Sequence, residues 1–286
     1  MQRLILSLLF LSISIFSLDA QSKKMRFKRM TKAPKILKEI SGLYIQGDTI
    51  WGHNDSGGEP RLYAFNQKGK LLRSVLIEGA QNKDWEELAY DDKGNIFICD
   101  FGNNGNVRKD LRVFKWNKVE GLIGRLSLSY ADQQKFPPAR DRRKFDAEGS
   151  FWYQDSLYIF SKNRSGFFTH LYVIGDEAGS YKPAMKDSIN LEDRIVTAAA
   201  LSPDGKTMAL LAYKFGKKWI FPRFESTLFI FRNFSPGNFC DGEMQRLKLP
   251  HRQFEALDFK DNKTLYLGAE KTPIHKAIVG KVVLRE

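Results

Sequence analysis

The chain has 286 residues, and its 46 lysines and arginines against 33 aspartates and glutamates leave a net charge of +13. Two cysteines, Cys99 and Cys240, exclude a disulfide-built scaffold, although a single bridge between them stays open. The charge suits an anionic partner or serves solubility alone. No zinc finger, RNP sequence or basic helix accompanies it, so nucleic acid is not an expected partner.

In chain order, Arg3 precedes an apolar run from Leu4 to Leu18, and "SLDA" ends at Ala20. This is the pattern of a secretory signal peptide over residues 1–20. The run is shorter than the roughly 20 residues that span a bilayer. Residues 21–286 are therefore expected to form one exported domain, periplasmic or secreted, without a transmembrane segment and monomeric.

The mature chain then repeats itself. Five times a short apolar strand, a turn with Asp or Gly and an aromatic-rich strand lead into a polar loop and a third strand. The units begin at "EISGLYI", "WEELAYD", "DAEGSFW", "TAAALSP" and "FEALDFK". Leu43, Leu88, Ser150, Leu201 and Leu257 mark corresponding places. Their intervals of roughly 50 residues are those of propeller blades. No long helical period follows the leader, so the fold is expected to be an all-β propeller, most simply of five blades. Six blades remain open if Lys115–Lys144 hides a degenerate one. The fifth unit stops after three strands, and "MRFKRMTKA" near the mature N-terminus is expected to supply its outer strand. "ARDRRK" at 139–144 reads as a solvated loop.

Propeller geometry gives the polar loops a common address, because the loops entering strand one and those joining strands two and three open on one face. Glu86, Glu148 and Glu255 start the axial strands, with Asp84 and Asp146 two residues before the first two. Asn54, Asp55, Asp100, Asn103, Asn104 and Glu270 come from neighbouring loops, as do Lys162, Asn163, Arg164, Lys214 and Lys271. Crowded carboxylates repel unless a cation, protons or basic groups balance them. An oxygen-rich ring suits Ca²⁺. Alternatively, acids at blade starts brace the ring by bonding adjacent backbone, and both readings stay open. Asn54, Asp55, Asp100, Asn103, Asn104, Lys162, Asn163, Lys214 and Lys271 are the candidate ligand-binding residues.

Several familiar signals fail. "GKT" at 205–207 lacks the upstream glycine of a phosphate-binding loop. "DFGNNG" has Leu111 where a calcium-binding EF-hand loop needs Glu. The four histidines lack zinc spacing, and a structural hydrogen bond is the expected role of His53.

Together, "HNDSGG", "DWEELA", "DFGNNGN" and "FDAEG" resemble a family of exported bacterial β-propeller proteins of Bacteroidetes type. The resemblance covers nearly the whole mature chain and implies the fold, but no reaction. Cys99 stands where that pattern has Gly. The axial acids are also similar to those of calcium-dependent propeller hydrolases: phytase-like esterases, gluconolactonase-type lactonases and calcium-activated nucleotidases. That likeness implies Glu86, Glu148 and Glu255 as metal ligands. The first functional expectation is a propeller that binds an anionic small molecule, a glycan or an envelope protein on its polar face. The alternative is a calcium-dependent hydrolase of phosphoesters or lactones, with Asp84 or Asp146 as base.

Overall fold

A computed structural model describes residues 26–285 apart from 167, 219 and 220; the expected leader lies outside these. The first strand, β1 (Lys28–Lys32), is followed by blade one: β2 (Ile40–Gln46), β3 (Thr49–Asn54), β4 (Arg61–Asn66) and β5 (Leu71–Leu76). Blade two holds β6 (Glu87–Tyr90), β7 (Ile96–Asp100), β8 (Leu111–Asn117) and β9 (Gly121–Leu128). Blade three holds β10 (Ala147–Trp152), β11 (Ser156–Ser161) and β12 (Phe168–Gly175); its chain then lends β13 (Gly179–Tyr181) to blade two before returning as β14 (Asp187–Asn190). Blade four is β15 (Ile195–Leu201), β16 (Met208–Lys218), β17 (Phe221–Arg232) and β18 (Glu243–Lys248). Blade five is β19 (Phe254–Phe259), β20 (Thr264–Ala269) and β21 (Ile278–Val283), with β1 as its outer strand.

The propeller therefore has five blades. Lys115–Lys144 holds the end of β8, strand β9 and a loop with one short turn of 3-10 helix at Arg140–Arg142, not a sixth blade. Both cysteines are free thiols, Cys99 being buried. Among the described residues, no helix is long and apolar enough to cross a membrane.

Each blade is sandwiched between two others, so its strands bury side chains on both faces. This explains unbroken apolar runs such as "IFIC" in β7, every residue of which is buried. The core is accordingly a ring of five clusters between blades. Phe97, Val113, Leu157 and Tyr172 join blades two and three, for example, and Leu211, Leu228, Leu257 and Leu267 join blades four and five.

Closure works as the sequence predicts. β1 runs antiparallel to β21, pairing Lys28 with Lys281 and Lys32 with Ile278. Phe27 anchors this latch edge-on against Phe254, with ring centroids 5.1 Å apart. Gly280 makes room for it: a Cβ there would sit 2.2 Å from Phe27 Cζ. Gly280→Val is expected to destabilise the fold by about 2 kcal/mol through overpacking, measured by urea unfolding.

The corresponding residue in blade four is Ala199 rather than Leu201. Glu148, Thr197 and Glu255 are each the extra residue of a β-bulge, skipped in the pairing of their strand. Counting two onward from each bulge gives Ser150, Ala199 and Leu257.

Candidate functional site

The inner strands β2, β6, β10, β15 and β19 pack around the axis. Ser41, Glu86, Glu148, Thr197 and Glu255 hold equivalent positions at one mouth of the channel. A bulge breaks a strand's alternation and re-aims a side chain, and in blades three to five it acts on this very position. Ser41 Oγ donates to the Glu86 carbonyl at 2.7 Å, and Thr197 Oγ1 to the Phe254 carbonyl at 2.9 Å. The two hydroxyls thus brace neighbouring blades.

The glutamates do something else. Carboxylate oxygens of Asp55, Asp84 and Glu86 lie within 4.8 Å of one another, and those of Glu86, Asp146 and Glu148 do likewise. Glu86 belongs to both groups. Gly102 allows this, since a Cβ there would lie 2.2 Å from Glu86 Oε1 and 2.5 Å from Asp84 Oδ2. Lys162 Nζ is 2.7 Å from Glu148 Oε1 and 3.8 Å from Glu255 Oε2, while Arg164 Nε is 3.5 Å from Asp146 Oδ2. Glu255 also accepts a bond from Gln253 Nε2 at 3.0 Å. The expected set of three glutamates is therefore divided: Glu86 and Glu148 meet through Asp146, and Glu255 stands across Lys162.

Charge is poorly balanced here. Burial, then the Asp84 and Glu255 carboxylates, push Asp55 up to about 7. Burial followed by Glu255 and Asp55 pushes Glu270 up to about 10. Asp84 is raised by burial and Asp146, and burial is the largest cause holding Glu86 and Glu148 well above the carboxylate range. Burial alone would lower Lys162, but Glu148 and Glu255 outweigh it and keep the ammonium charged. Lys162 and Arg164 serve the Glu148–Asp146 side. Among the described residues, Asp55, Asp84 and Glu86 have no basic side chain within ion-pair distance. The Asp55 Oδ1 atom is buried without a hydrogen-bond partner. An all-carboxylate donor set closed over by a glycine fits a hard cation such as Ca²⁺.

The remaining expected ligands shape the site instead. Asp100 is fully buried and holds Arg108 at 3.0 Å and Arg112 at 2.9 Å, while accepting the Asp84 backbone N–H. Asn54 ties its loop to the Ile36 carbonyl and the Glu39 N–H. Asn103 caps the β7–β8 loop with its side chain and donates its backbone N–H to Asp146 at 2.7 Å. Asn163 accepts from Ser165 in its own turn. Arg164 donates to the Asn104 side chain, and Lys214 pairs with Asp193 at the rim. Lys271 is exposed there. His53 is completely buried, edge-on to Trp85, and its Nδ1 lies 3.0 Å from the Asn54 carbonyl. Burial lowers its pKa to about 4, so it is a neutral strut.

Sequence reasoning did not find Tyr213 or Gly102. Lys162 Nζ lies 5.6 Å from the Tyr213 ring centroid. Beyond Tyr213 the β16–β17 hairpin continues past the blade, with Phe215 opposite Phe224. Tyr213 and Phe224 stand edge-to-face at 5.1 Å, and Phe215 is 54% exposed. An aromatic wall therefore rises beside the acidic mouth.

No family model matches the chain, and no curated protein matches it. Among solved structures, a gluconolactonase from Xanthomonas campestris is similar at 10% identity and TM-score 0.46, over 91% of this chain and 90% of that one. The PQQ-bound aldose sugar dehydrogenase of Streptomyces coelicolor is similar at 9% identity and TM-score 0.47, over 91% and 98%. The Cps50 (Swd1) β-propeller domain of Myceliophteria thermophila is similar at 9% and 0.42, over 91% and 100%.

Proposed function

We propose that this chain is an exported propeller whose acidic mouth holds Ca²⁺ between Asp55, Asp84 and Glu86, and that the loaded mouth binds an anionic ligand. The observation that carries the reading is the unbalanced triad. Three carboxylates share one small space with no basic side chain within ion-pair distance among the described residues, while an adjoining triad that shares Glu86 has Lys162 and Arg164. A divalent cation supplies the missing charge.

Arg164 offers a guanidinium at the rim, its side chain 42% exposed. With the cation it suits carboxylate or phosphate. The exposed Phe215 ring favours a ligand with a flat apolar face, as an acidic sugar has. An anionic small molecule or acidic glycan is thus preferred to an envelope protein.

A second reading, calcium-dependent hydrolysis of phosphoesters or lactones, now concentrates on one base. Asp146 is tied to Asn103 and Arg164. The Asp84 side chain makes no ion pair among the described residues, and burial with Asp146 raises its pKa. It is the better-placed proton acceptor.

Calorimetric titration with CaCl₂ at pH 8 is expected to show one saturable site, lost in Glu86→Gln, with proton release on binding. The absence of calcium binding by the intact protein would reject the proposal. Turnover of p-nitrophenyl phosphate or a sugar lactone that requires calcium and disappears in Asp84→Asn would favour the second reading over simple binding.

A further inference from the structure

The opposite mouth of the channel contains a cavity of 460 Å³. It is separate from the acidic site. Between the two, Glu87 is fully buried and reaches across the axis to the Ala199 N–H at 3.2 Å. A Cβ on Gly149 would come within 2.7 Å of the same nitrogen, and one on Gly42 within 2.8 Å of the Leu88 nitrogen. The inner strands thus meet in a waist, with a compartment on either side.

The lower compartment has its own chemistry. Tyr90, Phe151, Trp152 and Tyr153 line it, as do Asp91, Asp92, Asp204 and Asp258. No lysine, arginine or histidine is among its described lining residues. In a chain of net charge +13, that is a strong local reversal of sign.

The acids keep their own bonds to neutral groups. Asp91 accepts from the Asn95 side chain and from the backbone of Lys93 and Asn95. Asp204 accepts from Ser202 Oγ and the Lys206 N–H. Asp258 accepts from Tyr90 and from the backbone of Ile45 and Phe259, and burial raises its pKa to about 8. It is a strut that burial favours in its protonated form, and Asp91, Asp92 and Asp204 are the other acids of the lining.

One more lining group lacks a strong partner. Ser150 is fully buried, and among the described residues its hydroxyl has only the weak thiol of Cys99 to bond to. A buried hydroxyl with so weak a partner is normally satisfied by ordered water.

We propose that this lower cavity is a second binding site, selective for a small organic cation of the alkylammonium class. Asp91, Asp92 and Asp204 supply the counter-charge, and Tyr90, Trp152 and Tyr153 supply aromatic surface. Aromatic faces attract ammonium groups that have shed part of their water, and nearby carboxylates add the long-range pull. The volume lies in the range of small-molecule pockets. A neutral apolar guest would use the same rings but gain nothing from the acids.

The test titrates the full protein with choline chloride and, in parallel, with its uncharged analogue 3,3-dimethylbutan-1-ol. Choline is expected to bind saturably, with the analogue at least roughly tenfold weaker. Asp92→Asn, at an exposed position, should weaken choline roughly fivefold, and Tyr153→Ala at least as much. Near-ultraviolet circular dichroism of both variants checks that the fold is intact. Calcium should leave choline affinity unchanged, because it acts beyond the waist. Three results would each overturn the proposal: no saturable choline binding, equal binding of the analogue, or displacement of choline by calcium. The last would place the organic cation at the acidic mouth instead.

Discussion

Without calcium, raising the pH from about 6.5 to about 8.5 is expected to lower the melting temperature of this protein, and calcium is expected to restore the part that comes from the acidic mouth. Asp55, with its pKa raised from 3.8 to about 7, and Glu270, raised from 4.5 to about 10, hold protons that the unfolded chain has given up. The stability they contribute is fully present below the unfolded values and disappears as pH rises through the folded ones. Each proton so held corresponds to about 1.4 kcal/mol per pH unit, which is roughly 3–6 °C in a domain of this size. His53 runs the other way, since burial lowers it from 6.5 to about 4. Its contribution grows as pH rises through that interval and is largely complete by about pH 7.5, so the upper half of the window reports the carboxyls, with Asp258 at the other mouth, raised to about 8, adding a share that calcium does not reverse. Differential scanning fluorimetry with EDTA or CaCl₂ reads the result. A melting temperature that rises or stays level through the window in EDTA would mean that the mouth is not short of positive charge.

Lys162→Met should be the most damaging single change at the mouth. Lys162 is 4% exposed, and its ammonium is the bonded partner of Glu148. Met keeps the stem and removes the charge, leaving Glu148 and Glu255 facing each other. Loss of one partner of a buried pair costs about 3 kcal/mol or more, or roughly 6–10 °C here. The deficit should shrink as the pH falls and Glu148, already pushed up by burial, takes up its proton. The same variant should bind calcium more tightly, because the competing cation has gone. An unchanged melting temperature at pH 8 would show that Lys162 is not the counter-ion of this site.

The blades were legible in the sequence because each must bury both faces, leaving runs such as "IFIC" and "LYIF" between polar turns. The closing strand was legible because "RFKRMTK" had no partner in its own unit. Glu86, Glu148 and Glu255 could be placed at equivalent positions from spacing alone. Their partners could not. Lys162 and Lys214 occupy similar loop positions in the sequence, yet one lies at the centre of the mouth and the other pairs with Asp193 at its edge. Asn54, Asn103 and Asn163 look like ligands in a list of polar residues, but their amides are used on backbone carbonyls, those of Ile36, Phe145 and Phe168. The lower cavity left no trace at all. Its walls are the far ends of the inner strands, where "AYDD" and "FWYQ" read as ordinary strand and turn.

The latch between β1 and β21 also sets an order of events for the newborn chain. Lys28 leaves the ribosome long before its partner Lys281, so the first strand must wait, unpaired, while four blades form. Contacts of such sequence separation are slow to close. Until they do, the edge of blade five and the cluster around Phe254 stay open to proteases, chaperones and other copies of the chain. Closure is therefore the last step of folding and the first to be lost when either terminus is trimmed.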